Sequence, residues 1–124
     1  LHKNPTKRAA LEALLRVHWF IGCRPQDVTS LTPADLERAD SPWLWTVERH
    51  KNEHREQPLT YWIGPKAQAV LAPLMVGCPA DRPVFGWPTR DGAGWTAVTR
   101  LEYGRFVKQA CKLAEVEPWT PHQI

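Results

Sequence analysis

Gly22-Cys23-Arg24-Pro25-Gln26-Asp27 pins an arginine between the end of one helix and the start of the next. Upstream, Leu11, Leu14, Leu15 and His18 recur at i, i+3, i+4 and i+7, the spacing of an amphipathic helix, and Gly22 stands where that helix would end. Downstream, Pro25 suits a first helical position because it has no N–H to leave unpaired, and it drives Arg24 into an extended conformation. Arg24 therefore projects from a tight corner. A guanidinium held there is a fork for two oxygens of a phosphate or carboxylate. The amides at the start of the following helix are expected to favour an anion nearby, and Asp27 in its first turn is placed to brace Arg24.

Working outward, the first helix runs from about Thr6 to Ile21, with His18 a half-buried core residue on its apolar face. Past the corner, Val28 and Leu31 bury a short helix, and Thr32-Pro33 opens another turn. Then the period changes. Trp43, Trp45 and Val47 alternate with Leu44, Thr46 and Glu48, and Leu59, Tyr61 and Ile63 alternate with Thr60 and Trp62. This predicts a β-hairpin whose polar connection runs from Arg49 to Gln57, with Leu36 to Ala39 adding a short strand. Gly64-Pro65 starts a helix buried through Ala67, Val70, Leu71 and Leu74. Val76 to Thr96 is rich in Gly and Pro and is expected to be the least ordered part, with one strand-like piece at Val84 to Trp87. Tyr103, Phe106, Val107, Ala110, Cys111 and Ala114 mark the clearest helix, and Trp119 to Ile124 resembles a helix start with Thr120 as N-cap. The expected fold class is α+β, mainly helical, with helices packed around a small antiparallel sheet that includes the hairpin.

The 124 residues allow one domain with one core. Hydrophobic residues make up 43% and charged residues 23%, the balance of a globular protein, and no apolar run approaches a transmembrane span. No signal-like segment is present either, so a cytoplasmic protein without membrane partners is the default. A net charge of +3 permits a nucleic-acid partner without demanding one. Cys23, Cys78 and Cys111 form no Cys-x-x-Cys pair, which argues for reduced thiols and against a structural zinc site. His50 and His54 sit on one turn with no third ligand nearby, so no metal is assigned to them. Tyr61 alternates as a strand residue and Tyr103 heads a core stripe; both are expected to be structural.

An arginine at a helix junction, a lysine at a hairpin tip and a histidine in the first turn of a later helix, in that order, resemble the catalytic domain of the tyrosine recombinases, the phage-integrase family. Three blocks carry the resemblance: GCRPQDVTSLTPADLE from Gly22 to Glu37, RHKNEHREQPLTYWIGPKAQAVL from Arg49 to Leu71, and FVKQACKLAEVEPWTPHQI from Phe106 to Ile124. The resemblance implies that Arg24 grips the non-bridging oxygens of a scissile phosphate and that Asp27 supports it. It makes Lys51 the general acid on the leaving 5′ oxygen and His122 the histidine of a His-x-x-Arg motif. Arg49, His50, His54 and Arg55 would then approach the DNA backbone. Ile21 replaces the family's usual threonine, and Asp27 its commoner glutamate. The motif's arginine would be the residue after Ile124, and the tyrosine nucleophile follows it in the family. On this reading residues 1–124 are a partial catalytic domain lacking that C-terminal segment.

What the resemblance implies is site-specific recombination of double-stranded DNA through a 3′-phosphotyrosyl intermediate, without cofactor or metal. Fixed cations stabilise the extra charge of the transition state, and the covalent intermediate conserves the bond energy for rejoining. Family members assemble as tetramers on DNA; the fragment alone is expected to be monomeric or only weakly associated, and inactive. Two other classes stay open. One is a DNA-binding module that keeps the fold but only holds phosphates, and the other is a helical interaction domain without nucleic acid.

Overall fold

The computed structural model describes residues 5–47, 59–114 and 121. Helix α1 (Pro5–Ile21) buries Leu11, Leu14, Val17 and His18 along one face. It ends at Gly22, whose φ of 75° lies in the left-handed region that glycine enters without strain, and whose N–H bonds the His18 carbonyl at 2.8 Å. Arg24 then runs extended (φ −77°, ψ 146°) into α2 (Pro25–Thr29), as Pro25 requires of the residue before it. After a 3₁₀ turn at Pro33–Asp35, in which Asp35 accepts from the Thr32 N–H, β1 (Leu36–Glu37) begins the sheet. That strand is two residues long, shorter than the expected Leu36 to Ala39.

Strands β2 (Trp43–Val47) and β3 (Leu59–Ile63) pair antiparallel in the order β1-β2-β3. The register sets Trp45 opposite Tyr61 and Val47 opposite Leu59, so the alternating residues share one face. That face meets the core: Trp45, Val47 and Ile63 are buried, and Trp43, Leu59 and Tyr61 pack against them. Leu44 and Trp62 pair on the opposite face, where Trp62 is largely exposed. Helix α3 (Pro65–Met75) covers α1, burying Ala67, Leu71 and Met75.

The stretch from 76 to 96 is better ordered than its composition suggests. Strands β4 (Gly86–Pro88) and β5 (Trp95–Ala97) form a second antiparallel sheet, and Val84, Phe85 and Trp87 are buried. Two features build it. Gly86 lets the neighbouring strand approach so closely that a Cβ there would lie 2.6 Å from Trp95 Nε1. In the turn, Asp91 accepts from the Thr89 hydroxyl and the Ala93 N–H, while Gly92 adopts a φ of 75°. The expected strand at Val84 to Trp87 is thus displaced toward Pro88 and gains a partner.

Helix α4 (Arg100–Leu113) opens with a capping box in which Thr99 and Glu102 satisfy each other's backbone N–H. It buries Tyr103, Phe106, Val107 and Cys111, whereas Ala114 is an exposed C-cap rather than part of the stripe. The result is the expected α+β class, with helices around a small antiparallel sheet. Among the described residues no helix is long and apolar enough to cross a membrane.

Candidate functional site

Arg24 is tethered at one end and presented at the other. Its Nε lies 3.7 Å from Asp27 Oδ2, and the two side chains are 38% and 4% exposed respectively. Among the described residues Asp27 is its sole ion-pair partner. At 3.7 Å the contact is charge attraction rather than a directed hydrogen bond. A carboxylate this buried is stabilised by its cation, so removing the Arg24 side chain alone would leave the charge less compensated and cost more than an ordinary surface change.

The helix start itself contributes less than its sequence suggests. Helix α2 has five residues, Pro25 carries no N–H, and the Asp27 and Val28 amides both bond back to the Arg24 carbonyl. The anion-holding capacity of the corner therefore rests on the guanidinium.

His18 is a supporting residue whose role is invisible in its helical spacing. Expected to be half-buried, it is completely buried, and both ring nitrogens are engaged. Nε2 meets the Cys23 carbonyl at 2.8 Å and Nδ1 meets the Tyr103 hydroxyl at 2.7 Å. A carbonyl only accepts, so Nε2 carries a proton, and Nδ1 pairs with the Tyr103 hydroxyl. The residue preceding Arg24 is thereby tied to both α1 and α4. Five residues separate His18 from Cys23, a spacing that follows from Gly22 ending the helix.

Tyr61 reaches the same corner from β3, donating to Asp27 Oδ2 at 3.3 Å. Burial first, and then the Asp27 charge, raise its pKa, with the Arg24 side chain acting in the opposite sense. The Tyr61 hydroxyl is engaged on Asp27, and the Tyr103 hydroxyl is buried against His18.

Burial likewise pushes the Cys23 thiol from its ordinary 9.0 up to about 12, and it raises the Tyr103 phenol. The folded state keeps these protons to higher pH than the unfolded chain does. Stability should therefore hold below about pH 9 and fall as pH climbs through the alkaline range, by about 1.4 kcal/mol per unit for each group ionised only when unfolded. Urea midpoints from pH 7 to 10.5 check this, and Cys23→Ala should flatten the slope above pH 9.

Lys51, Arg49, His50, His54, Arg55 and His122 lie outside the described residues. What is described is their setting in part: β2 ends at Val47 and β3 begins at Leu59, so residues 48–58 connect the paired strands beside which Tyr61 meets Asp27. A separate cleft of about 580 Å³ is lined by Lys7, Trp87, Arg90 and Glu102 among others. Lys7 lies over the Trp87 ring at 5.2 Å, and Glu102, whose carboxylate caps α4 at Thr99, lines the same cleft.

Among solved structures the chain is similar to one described as the crystal structure of XerA recombinase, with a TM-score of 0.65 and 15% sequence identity. The similarity covers 98% of this chain and 46% of that one, so the chain spans less than half the length of its structural neighbour. At this identity the likeness is one of fold. No protein-family model matches the sequence, and no curated protein does.

Proposed function

We propose that the chain forms part of the catalytic domain of a tyrosine-type site-specific DNA recombinase, with Arg24 holding the scissile phosphate. The observation that carries this reading is the half-exposed Arg24 guanidinium anchored on the buried Asp27 carboxylate, in a fold like that of a recombinase. In such a reaction a tyrosine attacks the phosphorus, charge builds on the non-bridging oxygens, and a fixed guanidinium stabilises that charge more than the ground state. Lys51 would protonate the departing 5′ oxygen, a role worth roughly two to four decades of rate, and His122 would complete the site with groups not among these residues.

A second reading is a module that holds DNA without cutting it, in which Arg24 on its Asp27 anchor only grips a phosphate. Duplex binding tests what the two readings share. Affinity should fall steeply with salt, because neutralising phosphates releases counterions. Absence of binding even at low salt would contradict both.

A further inference from the structure

Arg24 and Tyr61 both reach the Asp27 carboxylate. From its own segment comes Arg24 Nε at 3.7 Å, and from β3 comes the Tyr61 hydroxyl at 3.3 Å, both to the same oxygen, Oδ2. The Tyr61 ring is held in turn by Trp45, its register partner on β2, with ring centroids 5.0 Å apart and planes inclined by 34°. Trp45 is 1% exposed, so this support belongs to the core rather than to the surface.

We propose that Tyr61 is a positioning residue for Arg24: by fixing the Asp27 carboxylate from the sheet side, it sets the direction in which the guanidinium leaves the corner. The proposal rests on the reading of Arg24 as the phosphate-holding group. Two considerations carry it. The Arg24 Nε–Asp27 contact at 3.7 Å is charge attraction with no fixed direction, whereas the phenol, at 3.3 Å a long hydrogen bond, is a donor that reaches the carboxylate from the sheet side. Raised by burial and by Asp27, the phenol stays protonated and remains a donor across the neutral range.

The test uses the 124-residue chain without DNA and follows the Arg24 Nε–H group by nitrogen-15 relaxation, with exposed Arg16 as internal reference. In the wild type, Arg24 should show an order parameter of roughly 0.8. In Tyr61→Phe, which keeps the ring but loses the hydroxyl, it should fall below about 0.6, toward Arg16. The Trp45 indole resonance should stay in place. Retained order in Tyr61→Phe overturns the proposal, and so does lost order with a displaced Trp45 resonance, because that reports broken packing. Should Tyr61→Phe fail to fold, Asp27→Asn probes the same link from the other side. Arg24 must lose its order there too, and its persistence overturns the proposal. Duplex affinity forms a separate arm: if removing Arg24 leaves it unchanged, the phosphate reading fails, while the relaxation data still decide whether Tyr61 positions Arg24.

Discussion

Trp45→Ala is expected to cost about 3–5 kcal/mol of folding stability, the range for emptying a fully buried aromatic site. A domain of this size has roughly 5–15 kcal/mol in total, so the variant would stand near the edge of folding. The effect follows from position: Trp45 is the central inward residue of the middle strand, between Leu36 on β1 and Tyr61 on β3. Its loss would open a cavity against the core and release the ring that carries the Asp27 bond. Urea unfolding measures this directly. Trp62→Ala supplies the contrast, since Trp62 is 66% exposed on the outer face and its truncation should change stability by less than about 0.5 kcal/mol. Similar costs for the two tryptophans would mean that the assignment of sheet faces is wrong.

His18→Phe is the second large effect, expected at about 2–6 kcal/mol. An aromatic ring is kept, though a larger one, but the Cys23 carbonyl and the Tyr103 hydroxyl each lose a buried partner, at roughly 1–3 kcal/mol apiece. A second substitution separates the two losses. In His18→Phe with Tyr103→Phe the orphaned hydroxyl is gone, so the double variant should be more stable than His18→Phe alone, by about 1 kcal/mol or more. Equal or lower stability would show that the histidine acts through packing and not through its hydrogen bonds.

The arginine corner was legible because its determinants are local. Gly22 ends a helix, Pro25 starts one, and both act on the residues beside them. The inward faces of β2 and β3 were legible for the same reason, since a period of two needs no knowledge of what lies opposite. What the sequence hid is contact between distant segments. Nothing in the spacing of Asp27 and Tyr61, or of His18 and Tyr103, announces that they meet; those bonds exist because the register and the packing of α1 on α2 and α2 on α4 bring them together. The β4–β5 pair was hidden by composition, because the glycine and proline content that suggests a loose loop is here used for close strand approach and a tight turn. The readings that rested on Lys51, Arg49, His50, His54, Arg55 and His122 belong to residues whose placement is not described, and they stand as proposals.

The central claim is that Arg24 contacts a DNA phosphate. The salt dependence of duplex binding tests it most directly, by comparing wild type with a variant carrying Arg24→Ala and Asp27→Asn together. Pairing the substitutions avoids stranding a buried carboxylate, so that a change in binding is not a change in folding. The account predicts weaker binding and a slope of log affinity against log salt that is shallower by about one, the signature of a single lost phosphate contact. An unchanged slope and affinity in a folded double variant would contradict it.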